Sequence, residues 1–387
     1  MIVGMAVFWY GLVPLAGAVI RRREWRAFRR RFSELRLRPA LDYRRYCQQE
    51  KDGTGEPGIF RFVGGLESVT DRQTLWIRGD DLTVPVFLKS AETYLLPMQE
   101  NAGAAGAFDP GEESPRKISW EKVSSLTEGA RVFVGGLLAP IDGQWGFAST
   151  KENPLIVIFF DGSNRDLSSM VIRAGRHRGE YWNSITPFSL ILGAASQILM
   201  AVSFIPRPAF RLTAIVAFIA LFIPLYPIIP PGLLFSVAYR RLAWKARLLR
   251  IYADFALLPL RCLAPPGGKG QIMEECLLPD GERYGFTRSA DLPPQAREGK
   301  IPLLLPGFAK PRAGDPWLVF GALRPGEELP CQPEDAFATF GILPGRPQAL
   351  ARRFLAEAYT LEALAWLMLL AGIGLNILFL WMLMALL

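Results

Sequence analysis

Twice in this chain a long apolar stretch ends in a pair of arginines, followed closely by a tryptophan, a further cation and an alanine. Residues 1–20 run into Arg22-Arg23-Glu24-Trp25-Arg26-Ala27, and residues 212–239 run into Arg240-Arg241-Leu242-Ala243-Trp244-Lys245-Ala246. About 20 apolar residues cross the hydrocarbon of a bilayer as a helix, and arginine and tryptophan gather where such a helix leaves it. This pattern predicts a membrane protein. Two more stretches meet the same length requirement, giving four expected transmembrane helices at 1–20, 187–206, 212–237 and 361–386.

Hydrophobic residues make up 50% of the chain and mean hydropathy is +0.19, yet 21% of residues are charged. That mixture fits membrane spans alternating with sizeable water-exposed modules. The net charge of +8 does not point to nucleic acid, because the cations cluster beside the apolar spans. There they act as topological signals and meet anionic headgroups. The first span has no basic segment before it and its charges follow it, so it reads as an anchor, not a cleaved signal peptide. The positive-inside rule then puts the arginines after spans one and three, and Arg352 and Arg353 before span four, in the cytoplasm. Both termini are expected outside, with polar regions 35–185 and 264–350 inside. No organelle signal is evident, and the expected location is a bacterial inner (plasma) membrane.

The basic runs at 21–34 and 238–263 are expected to be amphipathic juxtamembrane helices lying on lipid. In the first, Trp25, Phe28 and Phe32 share one helical face. Expected headgroup residues are Arg22, Arg23, Trp25 and Arg26 in the first run, and Arg240, Arg241, Trp244 and Lys245 in the second. A third interfacial group precedes span two, with Arg176 and Arg178 toward phosphate and Tyr181 and Trp182 at headgroup depth. In the spans themselves, Gly193 with Gln197 and Gly372 with Asn376 combine a small residue and an amide four positions on. Such pairs allow close helix approach and an interhelical hydrogen bond, so spans two and four are expected to pack on each other.

Span three carries Pro224, Pro227, Pro230 and Pro231. Prolines remove backbone donors, and the expectation is a kinked packing helix or an early helix end. A broken transport helix is the competing reading. Against it, Glu362 near one end is the only Asp, Glu, Lys or Arg well within a span, whereas proton relays and ion sites need such groups.

The polar regions read as β-structure, with short alternating runs punctuated by Gly, Pro, Asp and Asn. They also repeat. Phe62-Val63-Gly64-Gly65-Leu66 recurs as Phe133-Val134-Gly135-Gly136-Leu137, and more weakly as Val319-Phe320-Gly321-Ala322-Leu323. Residues 138–147 match 277–286 with one deletion, each carrying Asp-Gly ahead of an aromatic and Gly-Phe, which is a hairpin signal. The Gly pairs suggest a bulge or tight barrel bend. Four modules follow, at about 55–100, 118–165, 268–297 and 300–345, assembled into small OB-like or SH3-like barrels. The expected fold is therefore an α+β membrane protein with four transmembrane helices and small cytoplasmic all-β modules. Span, basic helix, β, β, span then recurs, implying a tandem parallel duplication with halves 1–206 and 212–387.

Catalytic motifs are not evident. His177 is the only histidine, and flanked by Arg176, Arg178, Tyr181 and Trp182 it fits an interfacial belt better than a general base served by Glu180 or Asp161. Asp161-Gly162-Ser163-Asn164 lacks the G-x-S-x-G form, Asp80-Asp81 looks like a solvated loop, and the Gly-rich stretches do not make a P-loop. The four cysteines form no C-x-x-C pair. No catalytic residue, metal or cofactor is expected. The expected function is non-enzymatic: protein–protein interaction or homo-oligomeric assembly at a membrane surface, with anionic lipid as a second partner. The alternative is a transporter or lipid-handling protein built from two parallel repeats.

Overall fold

The computed structural model describes residues 1–51, 58–70, 73–96, 115–123, 125–141, 143–176, 181–264, 273–305 and 315–386. Its helices are α1 (Ile2–Leu35), α2 (Tyr43–Lys51), α3 (Trp120–Val123), α4 (Asn164–Arg173), α5 (Thr186–Phe204), α6 (Arg211–Leu221), α7 (Gly232–Cys262), α8 (Pro294–Arg297) and α9 (Pro347–Leu386). The chain divides into a helical unit, Met1–Arg26 with Arg178–Ile251 and Arg353–Leu387, and a β unit, Ala27–His177 with Tyr252–Arg352.

Four helices are long and apolar enough to cross a membrane: Ile2–Leu35, Thr186–Phe204, Pro208–Leu225 and Pro347–Leu383. Within the helical unit, α5 and α6 pack against the start of α1 around Ile2, Ala6, Tyr10, Ala201, Ala217 and Ala220. Small residues at these contacts let the backbones come close, which is how helices associate where lipid is as apolar as the side chains. Prolines explain two of the polar contacts in this unit. Pro14 has no N–H to offer the carbonyl of Tyr10, and the hydroxyl of Tyr181 donates to that oxygen at 2.9 Å instead. Likewise Pro230 offers nothing to the carbonyl of Tyr226, which accepts from Asn376 Nδ2 at 2.7 Å.

Two expectations for this unit are corrected. The third apolar stretch is not one span over 212–237: α6 ends at Leu221, a 3-10 turn covers Ile223–Leu225, and α7 begins at Gly232. The four prolines between 224 and 231 strip donors from successive turns, so the 212–237 bounds fail, and of the two readings of these prolines the early helix end is the one seen. Secondly, spans two and four do not pair through their amides. Gly193 lies against Tyr10 and Trp9, where an added Cβ would come within 2.5 Å of the Tyr10 ring, and Gln197 Nε2 donates to Ile2 O at 3.3 Å. Gly372 lies against Phe235, and Asn376 serves Tyr226 and Ile229. The small-plus-amide pairs do pack helices, but each against a helix other than the expected partner: Gly193 and Gln197 against α1, Gly372 and Asn376 against the start of α7 and the turn before it.

The β unit is built around a five-stranded barrel. Its strands are β1 (Gly58–Thr70), β2 (Thr74–Arg78) and β3 (Thr83–Phe87), followed after β4 (Glu92–Leu96) and β5 (Arg116–Lys117) by β6 (Arg131–Ile141) and β7 (Gln144–Ala148). The barrel order is β1-β2-β3-β7-β6, and β6 closes back on β1 from Gly58↔Leu138 to Gly65↔Arg131. All its pairings are antiparallel except β3 with β7 at Val86↔Phe147. The free length of β6 also carries β8 (Ile156–Phe160), then β4 and β5, making one eight-stranded sheet. The barrel core is Leu66, Leu75, Ile77, Val84, Val86, Val132, Val134, Leu138 and Phe147, all nearly solvent-free. Strands from the expected modules 55–100 and 118–165 thus share one sheet.

The first Gly-Gly element stands at a close approach beside a bulge, and the bulge is what the sequence suggested. A Cβ on Gly64 would lie 2.3 Å from the carbonyl oxygen of Arg78, and the β1–β2 register slips just beyond, between Leu66 and Ser68. The second Asp-Gly hairpin joins β9 (Glu275–Leu277) to β10 (Arg283–Ser289), with Gly281 at φ +88°. The first joins β6 to β7 with Gly143 at φ +82°, while Asp142 lies outside the described residues. A four-stranded antiparallel sheet, β12-β11-β10-β9, adds β11 (Trp317–Ala322) and β12 (Gly341–Pro344).

The second half of α1 does not form a separate helix lying on lipid. It continues the first helix without a break, and in the β unit Phe28 stacks on Tyr94 at 4.1 Å while Phe32 meets Phe133 at 5.2 Å. Both rings are buried. The apolar face seen in the sequence is real, but protein covers it. At the end of α1, Arg36 is 1% exposed and has no carboxylate contact among the described residues. It donates to Leu258 O at 3.1 Å, Phe337 O at 3.3 Å and Ser168 Oγ at 3.5 Å. It thereby ties together α1, α4, the end of α7 and the chain before β12.

Candidate functional site: an acidic cleft in the β unit

The β unit holds a cleft of about 480 Å³, within the usual range for ligand pockets. One wall is β1 at Arg61, Phe62 and Val63, with the β2–β3 turn from Gly79 to Leu82. The approach to α2, Ala40 to Tyr43, forms a second wall. Asn164, Asp280 and Glu334 to Phe337 complete it. Six lining residues are carboxylic acids: Asp42, Asp80, Asp81, Asp280, Glu334 and Asp335. Arg61 is the one lining cation among the described residues.

Arg61 is 3% exposed and already neutralised. Its Nη1 donates to Asp335 Oδ1 at 2.8 Å. Its Nη2 lies 2.8 Å from Asp335 Oδ2, near enough for an ion pair but not aligned as a hydrogen bond. Asp280 is a looser partner at 3.4 Å, and the guanidinium stands 4.9 Å over the Phe337 ring. The Asp335 side chain is itself 3% exposed and accepts from the backbone N–H of Phe337 at 2.9 Å. Both charges are desolvated and satisfied mainly by each other, so this pair fixes the floor of the cleft.

The remaining acids form the rim. Asp42 accepts from the Arg45 N–H at 2.7 Å, which caps the start of α2. Arg45 also reaches Asp280 at 3.5 Å and donates to the carbonyls of Ala40 and Pro279. Asp80 and Asp81 are exposed in a turn closed by Gly79 N–H to Leu82 O at 2.8 Å. After Arg61 and Arg45 are set against their partners, and Arg324 against Glu334 at 3.6 Å, Asp80 and Asp81 still add uncompensated negative charge to the concavity. They suit a cationic group. No three His, Cys, Asp or Glu side chains converge on a metal position among the described residues.

The sequence placed Asp80-Asp81 in a solvated loop and saw Asp280 only as a turn residue; it did not bring them together. Arg61 stands between Phe60 and Phe62 in a strand, and that misplaced charge was the available signal. As for the expected interfacial residues, His177, Arg178 and Glu180 lie outside the described residues. Arg176 is not free for lipid: it pairs with Asp254. Arg22 is bound to Glu362 at 3.0 Å. Trp182 is 67% exposed, while Tyr181 is tied to α1. Arg23, Arg26, Arg240, Arg241 and Lys245 are exposed, and Trp25 and Trp244 are half-buried.

A second polar cluster in the β unit is internal. The buried Tyr284 hydroxyl donates to Thr339 O at 2.7 Å, and burial holds it well above the ordinary tyrosine range. Beside it the Cys276 thiol donates to Cys262 O at 3.0 Å, and burial pushes it up to about 11. A neutral thiol of this kind is a poor nucleophile. Set against family models, curated proteins and solved structures, the chain matches none.

Proposed function

We propose that this chain is a multi-pass membrane protein without a catalytic role, and that its β unit docks a basic segment of a protein partner in the acidic cleft. The cleft carries the reading: it is walled by acids on separate elements, and its floor is held by a buried ion pair. Charge complementarity of this kind gives specificity and fast association. We place the β unit on the cytoplasmic side of an inner membrane because the arginines after spans one and three favour it.

Support for an OB-type barrel is the closed five-strand order with one parallel contact between its third and last strands. Support for the tandem duplication comes from the two basic-tryptophan helices. α5 places Gly193 and Gln197 on α1, and α9 places Gly372 and Asn376 on the start of α7 and the turn before it. The transporter alternative has less behind it, because the carbonyls of Tyr226 and Ile229 at the broken third segment are occupied by Asn376.

The test is binding of a fluorescent octa-arginine peptide to the full chain in nonionic detergent, followed by anisotropy. The protein should bind at low salt, and the Asp80→Asn, Asp81→Asn, Glu334→Gln triple variant should bind at least tenfold more weakly. Equal binding by the two proteins would sink the proposal. So would self-association that the same triple variant abolishes, since that makes a second copy the occupant.

A further inference from the structure

Three helices of the helical unit meet at one carboxylate. Arg22 of α1 pairs with Glu362 of α9 at 3.0 Å, and Arg250 of α7 pairs with the other oxygen of the same carboxylate. One turn along α9, Trp366 meets Tyr239 of α7 with ring centroids 5.9 Å apart. Just ahead of α5, Ser184 Oγ accepts from Arg21 Nη2 at 3.3 Å. These contacts gather α1, the chain ahead of α5, α7 and α9 around the level of Glu362, with the Tyr239 contact about 16 Å nearer the start of α7 than Arg250.

At that height the unit changes character. On one side, Leu12 and Leu15 of α1, Phe188 and Ile191 of α5, and Leu370 and Phe379 of α9 are exposed, an apolar surface that water would not tolerate across three helices. Arg23 and Arg26 follow within about one turn of Arg22 on α1, and Arg240, Arg241 and Lys245 lie between Tyr239 and Arg250 on α7; all five are exposed and none has an ion-pair or hydrogen-bond partner among the described residues. Trp182 and Trp366 are exposed beside them. Arg22 and Arg250, by contrast, are spent on Glu362. The structure thus separates cations that lock the helices from cations left free at the apolar edge, which the sequence could not do.

We infer that these five free cations form a collar that selects the phosphate headgroups of anionic phospholipids over zwitterionic ones. Guanidinium groups match a phosphate with two parallel N–H donors, and each cation near a charged bilayer surface adds an electrostatic increment that salt screens. The tryptophans hold the apolar edge at the same depth. This inference requires the helical unit to lie in a bilayer but is independent of the acidic cleft, whose variants leave the collar intact.

The experiment is native mass spectrometry of the full chain in nonionic detergent, titrated with phosphatidylglycerol or phosphatidylcholine. Phosphatidylglycerol should be retained about tenfold more strongly at low salt, and the preference should shrink as salt rises. Replacing the five cations with Gln should reduce the preference below about twofold. Replacing Lys89, Lys122, Lys151, Arg165 and Arg297 of the β unit with Gln should leave it unchanged. Equal retention of both lipids by the unaltered chain, or equal loss in the β-unit variant, would overturn the inference. Displacement of the lipid by millimolar inorganic phosphate would also overturn it, since the site would then read free phosphate.

Discussion

Removing one member of the Arg61–Asp335 pair tests whether the cleft floor is held as described. Arg61→Met leaves the Asp335 carboxylate 3% exposed, with the Phe337 N–H as its remaining hydrogen-bond donor. Asp335→Asn leaves the guanidinium with Asp280 at 3.4 Å and the Phe337 ring. Breaking a buried ion pair from one side costs about 3–5 kcal/mol, because the partner stays behind as an uncompensated charge. Replacing both partners removes both charges and costs far less. For a β unit of about 250 residues, each kcal/mol moves the melting point by about 2–4 °C. Each single variant should therefore melt roughly 6–20 °C lower. The Arg61→Met/Asp335→Asn double variant should recover at least half of the loss. The assay is thermal unfolding in detergent, followed by the fluorescence of Trp76, Trp145 and Trp317, which lie in or beside the affected strands. Single variants that melt within 2 °C of the parent, or a double variant showing the sum of the two losses, would refute the reasoning.

Two further outcomes follow from the polar contacts. Asn376→Leu strands the carbonyl that Pro230 orphaned and should cost about 0.6–1.7 kcal/mol, the range for interhelical bonds in membranes. Stability in denaturing-detergent titration should fall accordingly, and Leu375→Asn on the exposed side of the same helix should not compensate. For pH, the Cys276 thiol titrates near 11, above its ordinary value of 9.0, because burial opposes the thiolate. The unfolded chain therefore releases this proton first as pH rises, and the stability present below pH 9 is lost between about 9 and 11. Melting points across that window should fall more steeply for the parent than for Cys276→Ser. Parallel curves would mean that the thiol is not held neutral by the fold.

Local periodicity and composition carried the helical unit far. A run of apolar residues needs no partner to declare itself, because length and hydropathy alone decide whether it can satisfy its backbone in lipid. The Asp-Gly hairpins were legible for the same reason: a glycine at positive φ is a local requirement. Gly64 marked where β1 and β2 come too close for a Cβ. The pairing of β1 with β6 was not legible, since the two strands lie some 70 residues apart and either could have paired elsewhere.

The basic runs show where sequence stops. Arg22, Arg23, Arg26, Arg29, Arg31 and Arg36 are chemically alike and closely spaced. In the fold, Arg22 binds Glu362, Arg29 donates to Ala174 O, Arg31 pairs with Glu92 and Arg36 is buried among carbonyls. Arg23 and Arg26 remain free. The sequence by itself determined that this protein has membrane-length helices with cationic exits and β-structure between them, because those are properties of contiguous residues. Only the tertiary structure decided which cations are spent, which amide meets which carbonyl, and that six distant acids share a cleft. Those pairings depend on groups far apart along the chain, and no local pattern encodes the distance between them.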